Sequence, residues 1–219
     1  MRTTILLLSV DEAPMLERSL PAAVSQDPAA EVVVIDNGCT DATAELAARH
    51  GARRLRIEPR RSYAAAINEA IAGTGGDAVL LLNADCFLRP GFLAAALPRL
   101  AEPGVGSVAP ELLRTSREPP APASAPTPPA PASPPTPPAP PPTEIDAAGM
   151  FIDRRRKNGL VGHGRPAAGF GRPAPAFGAD GAAALYRRRT LEDCALGGRE
   201  VLDEDMGLWA SDADLAWRA

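Results

Sequence analysis

The 219-residue chain has no excess of positive charge: 23 Lys and Arg stand against 27 Asp and Glu, a net charge of −4. Proteins that hold nucleic acid by bulk electrostatics carry a basic patch or a high pI, so that class is excluded and no nucleic-acid partner is expected. Long hydrophobic runs are missing as well. Apolar runs such as residues 5–8 and 78–82 are short, whereas a membrane span takes about 20 apolar residues, so no transmembrane segment is expected. Residues 1–10 are too short for a secretory leader and read as a first strand. Three cysteines, Cys39, Cys86 and Cys194, are odd in number and lack CxxC spacing. They indicate neither a disulfide framework nor a zinc site, and a cytoplasmic location is expected. Aromatics are few, with 5 Phe, 2 Trp and 2 Tyr, so a core must come from Leu, Val, Ile and Ala. No GxxxxGK[ST] or GxGxxG pattern occurs, which removes support for P-loop and dinucleotide-binding readings.

What is abundant is proline, 25 residues, concentrated with Ala, Ser and Thr in residues 118–143. Such a segment has little to bury and favours extended polyproline II. The expectation is one domain, residues 1–219, with a disordered Pro-rich insertion at 118–143 between a first half, 1–117, and a second half, 144–219. The second half is too thin for an independent core. In the first half, short apolar runs (4–10, 31–35, 53–57, 78–82, 105–109) alternate with helical stretches (12–24, 41–50, 63–72, 90–100). Pro21 is expected to weaken or kink the first helix, and Thr40 or Asp41 to cap the second. That alternation predicts an α/β fold, a mainly parallel sheet with helices on both faces.

Ligands of such sheets bind at the carboxyl ends of strands. Two places qualify: Asp36-Asn37-Gly38 after the second strand, and Asn83-Ala84-Asp85 after the fourth. Either could be an ordinary turn or loop cap. Functionally, Asp36 could accept a hydrogen bond from a nucleobase imide. Asp85 could share a divalent cation with a diphosphate, because Mg²⁺ uses one or two protein carboxylates and completes its shell with phosphate and water. Near the end of the chain, Asp203, Glu204, Asp205, Asp212 and Asp214 could be solvated helix ends, or one could be a general base. His50, His163 and the runs Arg187-Arg188-Arg189 and Arg154-Arg155-Arg156-Lys157 read as solvated surface.

The order of these pieces resembles family 2 glycosyltransferases of GT-A fold, and within them the rhamnosyltransferase-like branch. VVIDNGCTD at 33–41 is similar to that family's VVVDNGSTD, with Cys39 for Ser. YAAAIN at 63–68 is similar to its Ala-rich stretch ending in Asn. LLNAD at 81–85 resembles LLNPD, the branch's form of the DxD metal motif. GAAALYRR at 181–188 resembles GAALLIRR, and residues 203–218 lie without a gap on DExFFxYxEDvDL followed by sWR.

The resemblance implies an inverting transferase that moves a sugar from a nucleotide-diphosphate donor to a hydroxyl. The donor would be dTDP-rhamnose or a UDP-sugar, and the acceptor a glycan or lipid-linked molecule, with peripheral membrane association an option. Asp36, Asn37, Asn68 and Asn83 would bind the nucleotide sugar. Asp85 would hold Mg²⁺ or Mn²⁺, and Asp212 would be the catalytic base, with Asp214 holding the helix end. The segment 205–218 reads as one helix or helix–turn, with Leu208, Trp209, Leu215 and Trp217 its apolar positions. Ser211 stands where the family has Glu, Met206 and Gly207 where it has aromatics, and Arg60 and Ser62 where Asn and Gly are usual. These departures define the alternative, a degenerate member that binds nucleotide sugar without turnover. A Pro-rich module docking SH3-like grooves ranks below both.

Overall fold

The computed structural model describes residues 1–114, 144–207 and 210–219. The insertion expected at 118–143, and Leu208 and Trp209, lie outside the described residues. In chain order the elements are β1 (Thr3–Ser9), α1 (Ala13–Val24), β2 (Glu31–Asn37), α2 (Thr43–Arg49), β3 (Arg53–Ile57), α3 (Tyr63–Ala72), β4 (Ala78–Asn83) and α4 (Phe92–Leu100). They continue with β5 (Ser107–Val108), β6 (Leu112–Leu113), β7 (Ile145–Ala147), β8 (Met150–Ile152), β9 (Asn158–Leu160), β10 (Ala183–Arg187), α5 (Arg188–Asp193) and α6 (Ser211–Arg218).

The main sheet has six strands in the order β3-β2-β1-β4-β10-β5. β3, β2, β1 and β4 are parallel to one another, and β10 runs antiparallel to both β4 and β5. The run 5–8 is apolar at every position because β1 is central and covered on both faces. Leu6 and Leu8 pack with α3, α5 and α6, while Ile5 and Leu7 pack with α1, α2 and α4. α3 lies close to the sheet through Ala64, Ala66 and Ala70, and the Ser62 hydroxyl caps it by accepting from the Ala65 N–H at 3.2 Å. The mainly parallel α/β sheet with helices on both faces is therefore as expected. Of two short ribbons, β8–β9 belongs to the second half, and β6–β7 pairs the end of the first half with the start of the second.

Several local expectations are corrected. Pro21 lies inside a continuous α1; the residue whose carbonyl it leaves without a helical partner, Glu17, is on the exposed side. α2 has Ala42 at its N-cap, but Asp41 does the capping work: one oxygen accepts from the Thr43 N–H at 3.0 Å, the other from the Ala13 N–H at the start of α1 at 2.7 Å. The segment 205–218 is broken: a single 3₁₀ turn at Glu204–Met206 ends at Gly207, and α6 begins only at Ser211. Arg187 and Arg188 are not a solvated turn. The Arg188 guanidinium donates to the carbonyls of Ile71, Gly75 and Gly76, and that of Arg187 to Glu102 and Val105, fastening the second half to the first.

Candidate active site

The parallel strands end at one edge of the sheet. β10 reaches that edge by its beginning, because antiparallel pairing sets Ala183 against Leu82 and the Asn83 N–H donates to the Ala182 carbonyl at 3.0 Å. Residues just before β10 are thereby gathered beside those just after β4. Asp180 precedes β10, Asp85 follows β4, and Asp212 comes in from the first turn of α6 to accept from the Gly181 N–H at 2.9 Å. The Tyr63 hydroxyl at the head of α3 donates to the Gly181 carbonyl at 3.4 Å. A narrow pocket of ≈ 10 Å³, room for about one water, lies among Tyr63, Tyr186, Gly181, Leu202 and Asp212.

The titration behaviour of this edge reports its crowding. The Cys86 thiol is pushed up to about 12, first by burial and then by the negative charges of Asp85, Asp180 and Asp146. Burial, with repulsion from Asp212 and Asp146, raises the Asp180 carboxyl. Burial also raises Glu12, with added repulsion from Asp85 and Asp41. Carboxylates from six segments thus share one edge, and Asp85 is exposed with no hydrogen-bond partner among the described residues. A free carboxylate amid surplus negative charge suits a hard divalent cation that takes its other ligands from phosphate and water. Asp11, Cys39 and Asp41 also bring ligand atoms within 4.8 Å of one another. Their polar atoms are engaged in the turn, however: Asp11 accepts from Thr40 and Arg60, the Cys39 thiol donates to the Ser9 carbonyl, and Asp41 accepts from Ala13 and Thr43.

Asp36 and Asn37 are the last residues of β2, two strands from β4 in the sheet. Asp36 is 1% exposed. Its oxygens accept from the Cys39 N–H at 2.9 Å, from Arg54 Nε at 2.7 Å and from Arg56 Nη1 at 2.7 Å. Burial pushes this carboxyl up, but the Cys39 N–H and the two guanidiniums outweigh it and hold it below the usual carboxylate range. The Asn37 amide is paired both ways with the Arg61 backbone at 2.9 Å. Gly38 follows at φ +69, where a Cβ would meet the Arg60 Cβ at 2.9 Å, so only glycine fits the turn.

Asn68, buried on α3, makes four bonds: Oδ1 accepts from the Val201 and Leu202 N–H groups at 3.1 and 2.9 Å, and Nδ2 donates to the Leu202 carbonyl at 2.8 Å and to Glu204 Oε1 at 3.1 Å. It ties the segment leading to α6 onto the first half. Asp214 pairs with Arg218 at 2.6 Å, and Arg218 donates to the carbonyls of Cys194 and Val201. The structure therefore brings Asp85 and Asp212 to one edge with Asn83 beside them, places Asp36 two strands across, and engages Asn37 and Asn68 within the fold. Ser211 is buried, and its hydroxyl has no hydrogen-bond partner among the described residues.

Three residues at this edge carry no sequence motif. Arg54 and Arg56 were legible in principle, because alternate residues of a strand share a face and Arg56 is in register with Asp36. Asp180, like the bond from Tyr63 to Gly181, depends on the direction of β10, which no local pattern discloses.

Residues 4–194 match the model of the family described as "Glycosyl transferase family 2". The chain belongs to that family. It is 40% identical over 98 residues to the succinoglycan biosynthesis protein ExoU of Rhizobium meliloti, covering 42% of this chain and 29% of that protein. It is 36% identical over 85 residues to an uncharacterised glycosyltransferase of Mycobacterium bovis, covering 38% of each. These matches span well under two thirds of the relatives' lengths. Among solved structures, the mannosyltransferase PcManGT of Pyrobaculum calidifontis, in complex with GDP-Man and Mn²⁺, aligns with 97% of this chain and 50% of its own, at TM-score 0.59 and 21% identity. TarS residues 1–349 of S. aureus align with all of this chain and 55% of their own, at TM-score 0.63 and 15% identity. At that identity the likeness establishes the GT-A fold. Among the described residues no helix is long and apolar enough to cross a membrane.

Proposed function

We propose that this chain is a glycosyltransferase that moves a sugar, with inversion, from a nucleotide-diphosphate donor to a hydroxyl of a glycan or lipid-linked acceptor. The convergence of Asp85 and Asp212 on one sheet edge from separate halves of the chain carries the reading. Asp85, with Asn83 beside it, has the donor chemistry to hold Mg²⁺ or Mn²⁺, which when bound would stabilise the departing diphosphate as a Lewis acid. Asp212 is the general base. The Gly181 N–H fixes one of its oxygens, and it removes the acceptor hydroxyl proton as that oxygen attacks the anomeric carbon opposite the leaving group. Asp36 accepts the imide N–H of a pyrimidine base in exchange for one guanidinium contact. Asn37 and Asn68 shape the donor cleft by holding its walls. The LLNAD motif supports dTDP-rhamnose as the donor, ahead of a UDP-sugar. The free thiols Cys39, Cys86 and Cys194 support a cytoplasmic site of action.

The test is a thermal-shift panel of dTDP-, UDP- and GDP-sugars with and without Mn²⁺, followed by assay of nucleoside diphosphate release. A ligand at 100 times its Kd stabilises by about 2.7 kcal/mol. A Mn²⁺-dependent shift with turnover is expected, and no shift with any donor refutes the reading. The buried Ser211 hydroxyl, in the place of the family's Glu, favours one alternative, donor binding without turnover; a shift without diphosphate release would select it.

A further inference from the structure

The run Arg154-Arg155-Arg156-Lys157 has no part in the chemistry above. It forms the tip of the β8–β9 hairpin, and the backbone and the Asp153 carboxylate shape that tip. Asp153 Oδ1 accepts from the N–H groups of Arg155 and Lys157 at 2.7 and 2.9 Å, and the Asp153 and Arg156 N–H groups each close a bond across the turn at 2.9 Å. The four cationic side chains are exposed, and among the described residues none of them joins an ion pair, unlike Arg53, Arg56, Arg61, Arg99 and Arg114. In a chain of net charge −4, four cations against the one Asp153 carboxylate of the turn make a concentrated basic patch.

Apolar surface adjoins it. Phe151 lies in β8 with its ring on Gly159 and is 47% exposed. Cations beside an exposed aromatic ring are a combination that a bilayer interface accommodates. Nucleic acid would call for a wider basic footprint, tracking several phosphates.

We propose that the β8–β9 hairpin, with Phe151 beside its basic tip, docks on a bilayer surface rich in anionic phospholipid. The contact holds the cleft at the plane where a lipid-borne acceptor would present its hydroxyl, yet it depends on neither donor nor metal.

The full chain is sedimented with vesicles of phosphatidylcholine, alone or mixed with phosphatidylglycerol, at low and high salt. Association with the mixed vesicles only, weakened by salt, is expected. Each Lys or Arg near an anionic surface contributes about fivefold in partition, so R154Q/R155Q lowers it about twenty- to thirtyfold. Both side chains are exposed, and an unchanged thermal transition shows that the fold is kept. R189Q, which removes an exposed cation paired with Asp193 on α5, leaves partition within about twofold. No association with anionic vesicles, or association indifferent to R154Q/R155Q, overturns the proposal. So does capture of single-stranded RNA more tightly than vesicles with the same dependence on Arg154 and Arg155, which would make nucleic acid the partner. Failure of the donor assay leaves this result unaffected, so the two readings fail separately.

Discussion

Asn68 offers a sharp quantitative test, because a buried amide can read a ligand or hold the fold, and here its four bonds all go to residues 201–204. An Asn amide offers two acceptor and two donor sites, so none is left over. Asn68→Ala strips the partner from two backbone N–H groups and one carbonyl of Val201 and Leu202, residues only 4% and 2% exposed. A buried polar group left unpaired costs about 1–3 kcal/mol. Three such groups, partly relieved by water, amount to about 3–5 kcal/mol, a large share of the 5–15 kcal/mol typical of a domain. In urea, with a slope of about 1–3 kcal/mol/M, the midpoint falls by about 1 M or more at unchanged slope. Asn68→Asp keeps the acceptor bonds but sets an oxygen against the Leu202 carbonyl and the Glu204 carboxylate. It is therefore destabilising at neutral pH and recovers in acid, where a protonated carboxyl donates again. Nucleotide-sugar affinity of the folded Asn68→Ala protein should stay within a few-fold. A stability loss below about 1 kcal/mol, together with a donor affinity loss of tenfold or more, would falsify the account of Asn68 as a fastener.

Three further expectations concern the carboxylates. Asp85→Ala should remove the Mn²⁺ dependence of donor binding without moving the unfolding midpoint, since the side chain is exposed and unbonded; unchanged metal dependence in calorimetry would put the cation elsewhere. Asp212→Asn should lower transfer about 10²–10⁴-fold, the usual contribution of a general base, with donor affinity nearly constant. Asp214→Asn should instead cost about 1.5–3 kcal/mol of stability, the range of a charged hydrogen bond, by releasing Arg218; the opposite pattern in paired rate and unfolding measurements would exchange their roles. Asp36 titrates below its unfolded value, so its ion pairs stabilise the fold above the ordinary carboxylate pKa of about 3.9 and that contribution fades as pH falls through the lower, folded value. The stability gap between wild type and Asp36→Asn should accordingly narrow in acid, and a gap that widens there would contradict the assignment.

The strand–helix alternation was legible because a central parallel strand must be apolar on both faces, as the runs at 5–8 and 78–82 are. The end of β2 was harder. Residues 36 and 37 look like the start of a turn, yet they pair with Arg56 and Ile57 in β3, so the strand continues and the turn starts at Gly38. The strand-end rule found Asp36 and Asp85 because both lie at the carboxyl ends of parallel strands. It was blind to Asp180, which precedes a strand of reversed direction. Arg54 and Arg56 escaped because a linear reading weighs neighbours along the chain, whereas their partner lies across the sheet. Asn68 drew notice from its motif alone; its partners lie more than 130 residues away, and no local pattern forecasts a bond of that span.

The reversed strand β10 also sets a timetable for biosynthesis. Its partner in the sheet, β4, is complete about 100 residues before Ala183 meets Leu82. At roughly 5–20 residues per second, a ribosome leaves the outer edge of β4 without its neighbour for about 5–20 s. That edge carries AVLLLN, an apolar strand of the kind that recruits other chains when left bare. The proline-rich residues 118–143 lengthen the wait. Nascent chains interrupted before residue 183 would therefore be the sticky ones, and those carried past 187 would have the lid on their own most adhesive strand.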